Sequence, residues 1–256
     1  LDGFYTTDDF SWDGSKWILN ENLTDPTELI KYNNFGPGSL KLKADEDGKY
    51  TKKRLGNTVP TVTGGFGINM RYKNFDLSAF FNYSLGNKIV NATKLGSSYY
   101  NDTKKGWNLN DNFTLAKRYS WIDPSTGENM LKSSYIKSNG LDYTINRLNE
   151  INAGASMYNP GSITEMPLLD WAVEDGSFLR VNNISIGYTL PKVFVNKMFM
   201  QNVRIYVTGY NLYCFTKYSG ADPEVDTRRS TPMTPGVDYS AYPKSRSFVG
   251  GINVTF

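Results

Sequence analysis

Between Thr61 and Leu85 the side chains alternate with a period of two, and this limits the fold more than any other feature. Phe66, Ile68, Met70 and Tyr72 share one parity, against Gly65, Gly67, Asn69 and Arg71. After Lys73-Asn74 the parity flips, with Phe75, Leu77, Ala79, Phe81 and Tyr83 set against Asp76, Ser78, Phe80, Asn82 and Ser84. That period belongs to a strand, and two residues suffice for a hairpin turn in which Asn tolerates positive φ. The flip leaves both apolar rows on one side of the sheet. The opposite side, carrying Arg71 and Asp76, is solvent in a soluble sheet or lumen in a barrel.

Three further runs show the same pattern. Ile184, Ile186, Tyr188 and Leu190 alternate with Asn183, Ser185, Gly187 and Thr189, and Pro191 ends that strand. Val203, Ile205 and Val207 alternate with Arg204, Tyr206 and Thr208. Phe248, Ile252, Val254 and Phe256 line one face of the final run. Strands are expected at about 1–8, 61–72, 75–85, 178–190, 203–213 and 244–256. The connections alternate long (11–60), very short (73–74), long (86–173), short (191–202) and long (214–241). Sorting loops by side, with an apolar face that ends on an aromatic carboxy-terminus, is the habit of an outer-membrane β-barrel. On this reading the short connections and the carboxy-terminus lie on the periplasmic side. Tyr72, Phe75, Tyr188 and Phe256 then form an aromatic girdle at the inner interface. Six strands cannot close a barrel, since the smallest have about 8, so the remainder is expected upstream in the same polypeptide.

Composition excludes several alternatives. There is no histidine, which removes Ser-His-Asp and Cys-His mechanisms and His-ligated metals. A net charge of +3 gives no reason to invoke nucleic acid. No run of about 18 apolar residues exists, which excludes a spanning helix. A mean hydropathy of −0.48 remains compatible with a barrel, whose strands alternate. Cys214 is a single cysteine and allows no internal disulfide. The chain opens on Leu1 without an initiator Met or signal peptide, and is expected to be a fragment or part of something longer.

The long segments carry turn signals and few periodic runs. Short helices are expected at 26–32, near 89–99 and at 113–120, and the connector Lys192–Met200 has room for one or two helical turns. Lys43–Gly48 has the look of a calcium loop, but Lys43 and Arg54 stand at its first and last ligand positions, so no metal is expected. Residues 86–173 place Tyr99, Tyr100, Trp107, Tyr119, Trp121, Tyr135 and Trp171 among amides and hydroxyls. Such a set suits stacking and hydrogen bonding to sugar or peptide; the plainer reading makes most of these rings the loop's own small core.

Five blocks together carry a resemblance. They are NTVPTVTGGFGINMRYKNFDLSAFFNYSLGN at 57–87, LRVNNISIGYTLP at 179–191, VRIYVTGYNL at 203–212, KYSGADPEV at 217–225 and YPKSRSFVGGINVTF at 242–256. In this order they resemble the carboxy-terminal part of SusC/RagA-type TonB-dependent transporters of Bacteroidetes. Residues 41–55 depart from that pattern, with Lys43 and Lys52-Lys53-Arg54 replacing much of an Asp/Asn/Gly-rich run. The resemblance implies an all-β fold: the carboxy-terminal six or so antiparallel strands of a transmembrane barrel of about 22, incomplete alone, with long extracellular loops. It also implies an amino-terminal plug and a TonB box, neither in these residues, a SusD-like surface lipoprotein as lid, and energy from the TonB–ExbB–ExbD complex. The implied function is TonB-dependent import of oligosaccharides or oligopeptides across the outer membrane.

On that basis Tyr99, Tyr100, Trp107, Tyr119 and Trp121 are substrate-binding candidates, with Asp222 and Glu224 as polar or lid-facing groups. Arg71, Asn82, Arg204 and Tyr206 face the lumen and the plug, and Arg71 and Asp76 have the spacing to pair across their hairpin. Phe256 is the barrel-insertion signal by resemblance, or simply a girdle aromatic. No cofactor, metal or catalytic residue is expected. Two rivals remain: a glycosidase using Asp8 and Asp9 or Glu224 and Asp226, and a non-transporting barrel subunit that scaffolds a larger complex.

Overall fold

The computed structural model of the protein describes residues 1–100, 108–197, 199–224, 236–239 and 242–256. The chain divides into two compact units, Leu1–Arg54 with Ala92–Ala172, and Leu55–Asn91 with Val173–Phe256.

The first unit consists of loops closed around two aromatic-rich cores. Strands β1 (Phe10–Trp12) and β2 (Trp17–Leu19) form a small hairpin. Among the described residues three helices follow, α1 (Ala92–Gly96), α2 (Ser133–Asn139) and α3 (Leu141–Ile151). Tyr5, Phe10, Trp17, Tyr119, Trp121 and Leu148 are buried in one core, and Ile30, Leu40, Phe113, Tyr158 and Ile163 in the other. Each such side chain contributes roughly 1.5–3 kcal/mol on burial, which is how a segment of this length stays folded with little regular structure. Gly140 (φ 89°) ends α2 and starts α3, donating its N–H to the Ile136 carbonyl at 2.8 Å.

Several local expectations are corrected here. Residues 1–8 do not form a strand of the large sheet. Only an isolated bridge, Phe4 to Leu40, pairs there, and a 3-10 turn follows at Thr7–Asp9. The Asp9 carboxylate accepts from the Thr6 backbone N–H at 2.7 Å, so the polar run caps a turn instead of extending. Residues 26–32 make a turn closed by the Ile30 N–H on the Pro26 carbonyl at 2.9 Å, not a helix. The segment near 89–99 splits into a strand and α1. In 113–120 the chain leaves a 3-10 turn at Asp111–Phe113 and continues irregularly.

The second unit is a sheet protein. Its strands are β3 (Val62–Tyr72), β4 (Phe75–Leu85), β5 (Lys88–Asn91), β6 (Val173–Asp175) and β7 (Phe178–Thr189). After helix α4 (Lys192–Lys197) come β8 (Asn202–Thr216), β9 (Val237–Asp238) and β10 (Ser247–Thr255). Five of them form one antiparallel sheet in the order β10-β8-β7-β4-β3, and β6-β5-β9 form a small second sheet. The register pairs Tyr72 with Phe75, so the hairpin turn has two residues as the alternation predicts; Lys73, rather than Asn74, takes the positive φ (52°). Thr189 pairs with Arg204 and Thr255 with Asn202, which puts every short turn at one end of the sheet. At the opposite end Val62 meets Leu85, Ser84 meets Phe178 and Phe178 meets Thr216, and the long connections leave there.

Two faces result. Phe66, Met70, Tyr72, Ile186 and Val207 are exposed on one of them, together with Phe248 (71% exposed) and Ile252 (64%). An uncovered apolar face of this extent does not persist in water. The other face carries Asp76, Ser78, Asn82, Ser185, Arg204, Tyr206 and Thr208. Thr208 Oγ1 donates to Ser185 Oγ across β8 and β7 at 2.8 Å. One irregularity crosses the sheet. Asn182 has no cross-strand partner, because β4 pairs Phe80 with Asn183 and Phe81 with Val181. On the other side β8 also slips, Asn183 pairing with Tyr210 and Val181 with Tyr213, and Asn211 adopts a positive φ (51°). Beyond this bulge Leu179 and Val181 rejoin the apolar face, and Arg180 stands beside Asn82 on the polar one.

Candidate functional site

The polar face is organised by a clamp spanning three strands. Arg204 on β8 donates to both carboxylate oxygens of Asp76 on β4, Nε to Oδ1 at 2.9 Å and Nη2 to Oδ2 at 2.5 Å. Strand β7 lies between them, and the guanidinium crosses it over Gly187. A Cβ there would lie 2.4 Å from Nη2. The same guanidinium sits 5.0 Å from the centroid of the Tyr206 ring, and that ring covers Gly251 on β10. Glycines opposite long side chains thus let polar groups lie flat along the wall. Arg71 stands directly opposite Asp76, yet the expected pairing across the hairpin is replaced, since both Asp76 oxygens are held by Arg204. Asn82 lies further along the same face, half-buried, with its Oδ1 shielded from solvent.

At the end where the long connections leave, Arg180 gathers the returning chain. Its Nη2 donates to Asp222 Oδ1 at 2.5 Å and its Nε lies 3.2 Å from Glu224 Oε2; both Arg180 and Asp222 are buried. Asp222 also accepts the Glu224 backbone N–H at 2.9 Å, and Lys244 reaches Glu224 at 2.6 Å. Asp222 is therefore a fastening point of the loop, not an exposed ligand contact, and Glu224 alone of the pair remains partly open. A buried carboxylate with a buried guanidinium holds a loop in one place, since removing either partner strands the other charge. Nearby, Asn82, Ser84, Asn87, Phe178 and Glu224 line an open concavity of about 370 Å³. Arg180 went unnoticed in the sequence because the alternation breaks at Asn182. An arginine inside a strand, with a DPE triplet some forty residues on, is the signal that could have found it.

The loop aromatics separate. Tyr119 and Trp121 lie in the core of the first unit, 3% and 6% exposed, with the Trp121 indole N–H on the Pro37 carbonyl at 2.7 Å. These two correct the expectation of stacking platforms: each ring is spent on packing. Tyr99 is half-buried against the second core, Tyr100 is 42% exposed, and Trp107 lies outside the described residues, as does Asp226. Beside the first core Asp123 is buried and accepts from Tyr135 Oη at 2.6 Å, Ser125 Oγ at 2.7 Å and Arg147 Nη2 at 3.3 Å. The Tyr135 and Ser125 hydrogen bonds hold its carboxyl well below the usual range, while burial and then the Asp123 contact push the Tyr135 phenol up. Among the described residues no cluster of three or more acidic or cysteine side chains could hold a metal ion, and no helix is long and apolar enough to cross a membrane.

An antiparallel sheet that is apolar and uncovered outside, polar and charged inside, with its turns sorted by end, defines a class: part of the wall of an outer-membrane β-barrel, open at both edges here. No protein-family model matches the chain. It is 31% identical over 247 residues to TonB-dependent receptor P3 of Formosa agariphila, covering 92% of this chain and 20% of that protein. It is 25% identical over 233 residues to TonB-dependent receptor SusC of Bacteroides thetaiotaomicron, covering 90% and 18%. Among solved structures, the RagAB peptide transporter superposes with a TM-score of 0.51 at 22% identity, over 82% of this chain and 19% of that one. The chain spans about a fifth of the length of the curated relatives it matches. Its sequence is similar to TonB-dependent receptors, SusC among them, and its fold is that of part of their barrel wall.

Proposed function

We propose that the chain is the carboxy-terminal wall of a TonB-dependent importer that carries oligosaccharides or oligopeptides across the outer membrane. A SusD-like surface lipoprotein closes it outside, and the TonB–ExbB–ExbD complex supplies energy through an amino-terminal plug. The short-turn end and the carboxy-terminus face the periplasm. The polar face supports this reading most: Asp76, Arg204, Tyr206 and Asn82 present charges and hydrogen-bonding groups toward an enclosed passage, as a plugged lumen requires. Arg71 and the Arg204 clamp meet the plug. Glu224 and the concavity beside Asn82 offer polar contacts to a passing oligomer. In this role no covalent bond of the substrate is broken. Peptide enters the substrate class because RagAB is by name a peptide importer; glycan enters it because ring faces beside amides suit both.

The test is purification of the complete receptor from its native membrane, with mass spectrometry of co-purifying protein and small molecules. A surface lipoprotein together with a bound glycan or peptide of several units is the expected result. Repeated recovery of an empty barrel without a lipoprotein would overturn it and favour a scaffolding role.

A further inference from the structure

The connector between β7 and β8 does more than turn the chain. Val203, Ile205 and Val207 form one outward row, paired with Val254, Ile252 and Gly250 of β10. Ile205 is 45% exposed and Val207 56%, as lipid-facing residues are, but Val203 is 8% exposed. An outward residue at the base of the wall is therefore covered by protein, and α4 is the connector element that packs on β8 there. Its Val195 is 1% exposed, tied by its N–H to the Pro191 carbonyl and by its own carbonyl to the Met200 N–H. The burial of outward-facing Val203 together with that of Val195 points to α4 folding back on the outer side of the sheet rather than beneath the lumen.

Other apolar side chains of the connector stand largely exposed among the described residues. Val193 is 68% exposed, Phe194 60% and Phe199 92%, the last at a positive φ of 57°. Lys192 and Lys197 are exposed at the two ends of the helix. The patch continues the aromatic row at this end of the wall, where Phe75 and Tyr188 pack at 4.7 Å and Tyr72 and Phe256 stand exposed. On the neighbouring hairpin the Lys73 ammonium lies 5.3 Å from the Tyr72 ring centroid. Lysines beside exposed aromatics, continuous with a lipid-facing surface, match the boundary between headgroups and acyl chains: rings enter the boundary while ammonium groups reach phosphate.

We infer that α4 is an interfacial anchor, lying on the phospholipid surface outside the barrel with Val193, Phe194 and Phe199 at the acyl boundary and Lys192 and Lys197 on lipid phosphates. The surface takes bilayer, not a protein partner, because it runs without interruption into the face that already contacts lipid.

The complete receptor, with Cys214 and any cysteine outside this stretch replaced by Ser, is spin-labelled at Phe194→Cys, Phe199→Cys or Ile205→Cys and reconstituted in phosphatidylethanolamine–phosphatidylglycerol bilayers. Relaxation by dissolved oxygen and by a water-soluble nickel chelate then gives the depth of each label. Labels at 194 and 199 are expected at depths between water and the deeper label at 205. A label at 194 read as bulk water, or shielded from both relaxants by a protein contact, overturns the anchor; a label at 205 in water overturns the membrane wall and the anchor with it. Charge reversal by Lys192→Glu with Lys197→Glu should shift the 194 label toward water in anionic bilayers. An unchanged depth would overturn the role given to the two lysines.

Discussion

Arg204 reaches Asp76 only because the strand between them carries glycine at position 187. A Gly187→Val variant places methyl groups where the guanidinium lies and should break the pair without touching either charge. Charged hydrogen bonds on a partly exposed wall are worth about 1–2 kcal/mol, so Gly187→Val and Asp76→Asn should each lower the unfolding free energy of the complete receptor, measured by denaturant titration, by that order. The double variant should fall little further than either single one; additive losses would show that the clamp is not one unit. In the first unit the Asp123 carboxyl is held low by Tyr135 and Ser125. A group depressed in the folded state stabilises fully above its unfolded value near about 4, and that stability fades as pH falls toward the folded value. Near-ultraviolet circular dichroism, reporting Trp121 and its neighbours, should hold down to about pH 4 and be lost below it. In Asp123→Asn that acid transition should weaken, with the signal less stable at neutral pH.

At the scale of elements, alternation alone located β3, β4 and the lower half of β7, because outside-inside patterning leaves a period of two wherever pairing is regular. The upper half of β7 was not legible. Asn182 inserts an unpaired residue, so Arg180 changes face relative to a simple count, and with it goes the loop anchor to Asp222. Helices α2 and α3 were missed although Leu141, Ile145 and Leu148 recur at helical spacing. Polar residues between them hid the stripe in a segment dominated by turn signals. The burial of Tyr119 and Trp121 was unreadable for another reason: no local pattern distinguishes a ring that packs from one that binds. The strand assignment makes a graded prediction. Val207→Arg, on the outward face at 56% exposure, should reduce folding into bilayers by about 2–4 kcal/mol, whereas Asn69→Gln, at an exposed position on the opposite face, should be nearly neutral. Equal effects in a liposome folding titration would contradict the two-faced wall.

For the whole molecule, the sheet order leaves β3 and β10 at its margins, each with a row of backbone N–H and C=O groups directed sideways. In the receptor those rows meet neighbouring strands, as a membrane wall must. Produced in isolation, this stretch of polypeptide would keep both rows unmet along some ten residues apiece, next to a greasy exterior. Such margins recruit other copies, so the isolated piece should emerge as insoluble β-rich aggregate rather than as a small soluble fold.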